Sequence, residues 1–382
     1  MSPSQIRFYL PLLLISFPVF AKSPTQVPIT FIEALSPRDT TSSETFRAEF
    51  KSSVELGRSL TAASLKTCGF EIKPTLHLFD ANDQLQAFER AKDAQNSGHW
   101  MIVGPRRSNH YLLVAKGAPE TPSVSIMASS SEVEKLAPLH LSVYPSNGML
   151  ASGAATVLLE LGKSKASRNY FSVVSADCHA CIDFSEQFDR EAKRFGLTKL
   201  GQQTIVGDSP DPAPIVAAVA SAKPSFVLLP NYSKVSALLM GAIHNRVPDV
   251  RFIGGDGWGD QKFGFVERNP AVQAAPGVTV RGFPPAKTGL STFPLGRRVL
   301  MTGKDAGFIP SSGAGLAILR VFEGLERLLC DGKPPTASAF KATFEKIGPK
   351  QFTAPWGVNA YQLRSGEIRF WKRLRADRIR SP

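Results

Sequence analysis
The 382-residue sequence lacks most of the patterns that mark an enzyme. It contains no G-x-S-x-G elbow, no Walker loop, no H-E-x-x-H pair and no G-x-G-x-x-G after a strand. Its six histidines are scattered, and lone residues such as His77 and His244 read as surface or core groups rather than catalytic ones. Catalysis is therefore not expected, nor is a cofactor or a bound metal. Acidic residues are also in short supply, with 32 Asp and Glu against 45 Lys and Arg, a net charge of +13. The excess gathers late, at Arg369, Lys372, Arg373, Arg375, Arg378 and Arg380. No basic stretch coincides with a recognition helix or an aromatic stacking pattern, so nucleic acid is not an expected partner. A solvated tail, attraction to anionic surfaces or an anionic ligand fits the charge better.

Long apolar runs are missing as well, except at the start. Arg7 precedes an apolar stretch from Phe8 to Phe20 that closes on Val19-Phe20-Ala21. Thirteen residues are too few to span the ~30 Å hydrocarbon core as a helix. Residues 1–21 thus read as a secretory signal, with a soluble and periplasmic product beginning near Lys22. No cysteine follows, so no lipid anchor is expected there. The remaining length exceeds what a single core usually fills, and two lobes are expected.

Strand and helix patterns alternate along the chain. Val27–Ile32 reads as a buried strand, followed by a polar loop over 36–43. Phe46, Phe50, Val54 and Leu60 then share a helical face that ends at Cys68-Gly69. Thr75–Phe79 is the next strand and Asn82–Ala94 the next helix, with Leu85, Phe88 and Ala91 facing inward. Trp100–Val103 runs into Gly104-Pro105, and Ser123–Met127 into a serine-rich turn. After Tyr144-Pro145 the alternation restarts with an apolar helix from Met149 to Leu161 and a strand over Tyr170–Val174. A helix carrying Phe184, Phe188, Ala192 and Phe195 follows. The pattern continues through a helix at Ile215–Ala222, the strand Phe226–Leu229, a helix at Val235–Ile243 and the strand Arg251–Ile253. Strands separated by helices of this length imply βαβ units and an α/β fold with two doubly wound parallel-sheet lobes. An apolar helix from Leu316 to Leu329 and strands after Ala354 come too late to extend the second lobe simply, so the chain should cross between lobes more than once. The expected division is 22–144 plus 286–350 for the N-terminal lobe and 145–285 plus 351–382 for the C-terminal lobe.

The order of Val103-Gly104-Pro105, Ala128-Ser129-Ser130-Ser131, Tyr144-Pro145-Ser146 and Ile253-Gly254-Gly255-Asp256-Gly257-Trp258-Gly259, after a signal peptide, resembles the type I periplasmic solute-binding proteins. The branch is the one that binds leucine, isoleucine and valine. The resemblance covers nearly the whole mature chain. It implies two lobes joined by three hinge strands, with a ligand held between them at the carboxyl ends of the sheets, where open parallel sheets bind ligands in general. It also implies a monomer that captures a small polar ligand, an amino acid or related carboxylate. The closed form would be read by an ABC transporter permease or, alternatively, by a membrane sensor. Carried over by position, Ser108 would hydrogen-bond a ligand carboxylate, and Ser130 and Ser131 would bind its carboxylate and ammonium. Asp256 would pair with the ammonium, and Tyr232 and Trp258 would form aromatic walls. A buried zwitterion needs donors at one end and an anion at the other. Plain structural roles compete with each assignment: a turn at Ser129–Ser131, a cap at Asp256, core packing for the aromatics. Two departures stand out. Ala180-Cys181 lies where the family commonly has Tyr-Gly, and the loop at Pro37-Arg38 has no glycine. The ligand need not be a branched-chain amino acid, and Arg106 and Arg107 would allow a more acidic one.

Four cysteines complete the inventory. Cys178-His179-Ala180-Cys181 can be a redox motif, a pair of metal ligands or a small structural disulfide; an oxidising compartment favours the last. Cys68 and Cys330 each end a helix assigned to the first lobe and can pair, although four cysteines allow three pairings.

Overall fold
The structure, a computed structural model, describes residues 23–35, 40–162, 164, 167–207, 209–258, 270–283, 286–306, 312–331, 336–347, 357–365 and 367–374. The proposed signal at 1–21, the Pro37-Arg38 loop, Gly259, Ala354 and the basic residues Arg375, Arg378 and Arg380 lie outside these residues.

Strand β1 (Thr25–Leu35) is the centre of gravity of the first lobe. It pairs in parallel with β2 (Phe70–Asp80) on one side and β3 (Met101–Val103) on the other. β4 (Ser123–Ser125) and β5 (His140–Ser142) follow, giving the order β2-β1-β3-β4-β5 with every pairing parallel. A parallel strand covered by helices on both faces needs apolar side chains on both, which is why Ile29, Phe31 and Ile32 run together and are all fully buried. Burial stabilises each by roughly 1.5–3 kcal/mol. One face is covered by α1 (Thr40–Thr67) and by α12 (Gly313–Cys330), a helix from far along the chain. Phe31 stacks on Phe322 of α12 with ring centroids 5.6 Å apart. The carboxyl ends of α1 and α12 are joined by the disulfide Cys68–Cys330, Cα atoms 5.3 Å apart. Helices α2 (Leu85–Asn96) and α3 (Ser108–Gly117) pack together with Ala87, Ala91 and Tyr111 against the sheet.

The second sheet has the order β12-β11-β10-β9-β8-β6-β7. Its strands are β6 (Asn169–Ser175), β7 (Thr198–Ile205), β8 (Phe226–Leu229), β9 (Arg251–Gly254), β10 (Gly277–Arg281), β11 (Asn359–Arg364) and β12 (Glu367–Arg373). β6 to β10 are parallel; β11 and β12 add an antiparallel hairpin at one edge. Its helices include α5 (Asn147–Leu161), α6 (His179–Arg194), α7 (Ala213–Ala222) and α8 (Ser233–Arg246). α5 is buried on most sides, as its run of small and apolar residues requires.

The chain passes from the first sheet to the second after β5. It returns after β10 to α10 (Ala286–Leu290), α11 (Pro294–Ala306) and α12, and crosses again between α13 (Ala337–Ile347) and β11. Tyrosines tie these crossings together. The Gly282 amide donates to the Tyr144 hydroxyl at 2.9 Å, and the Tyr361 hydroxyl donates to the Phe283 carbonyl at 2.6 Å.

Two local expectations need correction. Leu85 is 66% exposed, and α2 buries Ala87, Ala91 and Ala94 instead, so its inward face is built from small residues. The polar segment after β1 is already helical from Thr40, where α1 begins.

Candidate functional site: a polar crevice at the strand ends
The carboxyl ends of β1 and β3 on one side, and of β8 and β9 on the other, bring a group of charged and aromatic residues together. β3 leaves its sheet through Gly104, whose φ of +87° and the 2.2 Å that would separate a Cβ from the Ile32 carbonyl admit only glycine. The chain then presents Arg106 and Arg107 before α3 begins at Ser108. Arg106 lies 3.4 Å from the fully buried Glu33 of β1, and its backbone N–H also donates to that carboxylate. Burial pushes the Glu33 carboxyl above its usual range, and Arg106 pulls it back. The Arg106 guanidinium also covers the Phe46 ring at 3.8 Å. Arg107 faces Tyr232 of the other lobe, 6.0 Å from its ring centroid, and no carboxylate lies within ion-pair distance of it among the described residues.

On the second lobe, Asn231 fixes the exit from β8. Its side chain donates to the Val173 carbonyl and accepts from the Ser175 amide, each at 2.8 Å. Tyr232, the next residue, keeps half its surface accessible, yet crowding by protein raises its phenol above the ordinary value. Accessible but crowded is the condition of a side chain in the wall of a crevice, and Arg107 and Asp256 are both near enough to act on it. Asp256 follows the exit from β9. Burial pushes its carboxyl up to about 6, against the opposing pull of the Tyr144 hydroxyl, Arg281 and its own and the following backbone N–H. The cluster thus runs Arg106, Arg107, Tyr232, Asp256, Tyr144, Arg281. It gathers guanidinium, phenol and carboxyl groups from both lobes.

The serines expected at the site hold the loops. The Ser108 hydroxyl accepts from the Ser129 and Ser130 amides at 3.2 and 3.1 Å. The Ser130 hydroxyl caps α4 (Ser131–Glu134) by accepting from the Glu132 amide. Ser131 donates from both its N–H and its hydroxyl to Asp183 of α6, at 2.9 and 2.7 Å. Trp258 is fully buried in the second core: its indole N–H donates to the Leu229 carbonyl at 2.9 Å, and it fills the space left by Gly254. It is a packing residue here, not a wall of the crevice. Asp183, Tyr144, Glu33 and Arg281 were not among the expected site residues. An acidic residue beside Phe184 on the apolar side of a helix was the one available signal for Asp183.

Cys178 and Cys181 are joined as a disulfide at the start of α6. Among the described residues, no three His, Cys, Asp or Glu side chains are grouped to hold a metal ion, and no helix is long and apolar enough to cross a membrane. A hollow of about 60 Å³ borders the site through Ser130 and Tyr144 and is closed by Val133, Leu141, Met149 and Phe344. It is mainly apolar, and neither Arg107 nor Asp256 lines it.

No family model and no curated protein matches the chain. Solved structures do. A leucine-, isoleucine-, valine-, threonine- and alanine-binding protein from Brucella ovis, in a closed conformation, is similar over 94% of this chain and 97% of its own, with 16% identity and a TM-score of 0.72. A leucine-binding protein from Thermotoga maritima is similar over 92% of this chain and 99% of its own, with 14% identity and a TM-score of 0.65. An ABC transporter solute-binding protein from Rhodopseudomonas palustris, in complex with 3,4-dihydroxybenzoic acid, is similar over 92% of this chain and 98% of its own, with 15% identity and a TM-score of 0.65. At such identities the likeness is one of fold, and the fold is the two-lobed α/β architecture of these proteins.

Proposed function
We propose that the chain is a non-catalytic, exported solute-binding protein that closes its lobes on a small ligand carrying an acid group, an amino acid or related carboxylate. It then presents that ligand to an ABC transporter permease. The lobes are taken as 22–144 plus 286–350 and 145–285 plus 351–382, the compartment as the periplasm, and the working unit as a monomer. Arg107 carries the reading: a guanidinium opposite an aromatic ring, with no carboxylate at ion-pair distance among the described residues and Glu33 acting on it only from farther away, suits a ligand carboxylate. The ligands named for similar folds agree in kind, since leucine and 3,4-dihydroxybenzoic acid each carry one carboxyl group. Asp256 and Tyr232 would complete the contact from the second lobe, and Ser108 and Ser130 would shape the turn beneath it.

The test is a thermal-shift screen of refolded, ligand-free protein against amino acids and aliphatic and aromatic carboxylates, because a ligand of the folded state raises its melting temperature. At least one compound should stabilise the protein. Arg107→Ala should weaken that compound by roughly 10- to 100-fold, the worth of a charge-assisted hydrogen bond. A blank across the library, or unchanged affinity in the variant, would count against the proposal.

A further inference from the structure
Asp183 is 8% exposed, and its carboxylate accepts four hydrogen bonds. Two belong to Ser131 of the first lobe, as described. Two lie on the second lobe: Asn147 Nδ2 at 2.8 Å and Gln187 Nε2 at 3.3 Å. The tyrosine ties at Tyr144 and Tyr361 lie on the crossings themselves and can persist while the lobes rotate. The pair of bonds from Ser131 to Asp183 joins α4 to α6, helices of different lobes, and must break if these elements separate. Asp183 would then keep Asn147 and Gln187, while water takes the place of Ser131, so opening strands no buried charge. A contact with that property is reversible. The first turn of α6 is also well anchored on its own side: the Cys178–Cys181 disulfide encloses Ala180, whose carbonyl accepts from Asn147 Nδ2 at 3.2 Å. Beside it the Asn147 amide donates to the Ser129 carbonyl at 2.5 Å, so the serine turn is gripped at two points.

We infer that Asp183 is a latch: its carboxylate, held by Asn147 and Gln187, grips Ser131 and keeps the two lobes together without a ligand. This deepens the binding reading, on which it rests for the purpose of closure, by assigning control of closure to the chain itself. Entry of a solute then requires transient release of this contact. Asp183 acts through lobe position and does not need to touch the solute.

The experiment uses ligand-free, full-length protein with nitroxide labels at Lys92→Cys on α2 and Arg190→Cys on α6, both exposed positions. No native cysteine is free to compete for the label. Pulsed electron-spin distance measurements should give a single short population for the parent. Asp183→Asn and, independently, Ser131→Ala should shift the closed-to-open ratio by roughly 10- to 100-fold and add a longer distance. Melting temperatures confirm that each variant is folded, and Ser131→Ala serves if Asp183→Asn does not fold. Unchanged distances in the folded variants, or a parent already as open as they are, would overturn the latch. Thermal shifts of the same proteins with the small-carboxylate library separate the two readings. Library hits without a distance change refute the latch alone; a distance change without hits supports the latch and refutes carboxylate binding.

Discussion
The two lobes share an architecture but are closed by different means. The first is assembled from segments far apart in sequence, and its distant helix is fixed by the bond between Cys68 and Cys330, 262 residues apart. The second also borrows late chain, the hairpin β11–β12, but holds it by backbone pairing to β10 and by side-chain packing. Its disulfide spans only three residues and closes a local turn. The difference teaches where each lobe is vulnerable: the first to loss of a covalent link, the second to loss of core volume.

Breaking the links tests that contrast most severely. In the chain-entropy view, a bridge over 262 residues stabilises the fold by about 5 kcal/mol and one over a few residues by about 2 kcal/mol. Cys68→Ser with Cys330→Ser should therefore lower stability in denaturant titrations far more than Cys178→Ser with Cys181→Ser; equal losses would erase the distinction. Next in size, Trp258→Ala should cost about 3–5 kcal/mol by opening a cavity in the second core. Because the first lobe keeps its bridge, hydrogen exchange should rise mainly in β8, β9 and β10, and a uniform rise would mean that the lobes melt as one. The smallest effect concerns Asp256. Its carboxyl is raised to about 6 from an ordinary 3.8, so the fold favours the protonated form. Its ionisation destabilises the folded state as pH rises through about 6, and the penalty disappears as pH falls below the ordinary value. Asp256→Asn should raise the melting temperature at pH 8 and do little at pH 4. A gain of the same size at both pH values would contradict this sign.

Much of the framework was legible in the residues, because parallel strands covered on both faces declare themselves as apolar runs such as Ile29–Ile32 and Phe226–Leu229. The strand β7 was not. As an edge strand it leaves Thr198, Lys199 and Leu200 exposed, and its Thr-Lys-Leu-Gly-Gln-Gln sequence carries no core signal. The inward face of α2 was misread at Leu85, since alanines alone suffice where α3 approaches closely. At the site, strand-end positions such as Arg107 and Asp256 could be read from the turns that follow β3 and β9. The bond between Ser131 and Asp183 could not, because 52 residues separate them and only the relative placement of two lobes brings them together.

The threading of the chain has a consequence for its biogenesis. Residues up to Tyr144 supply a five-stranded sheet but not α12, and residues up to Arg281 supply most of the second sheet but not the β11–β12 hairpin that covers its edge. Neither half can be completed in the order in which it is synthesised. Until the last hundred residues arrive, Phe31 and its neighbours have no Phe322 to cover them. Closure of both lobes therefore waits on the last segments of the chain, which makes cooperative folding a late event.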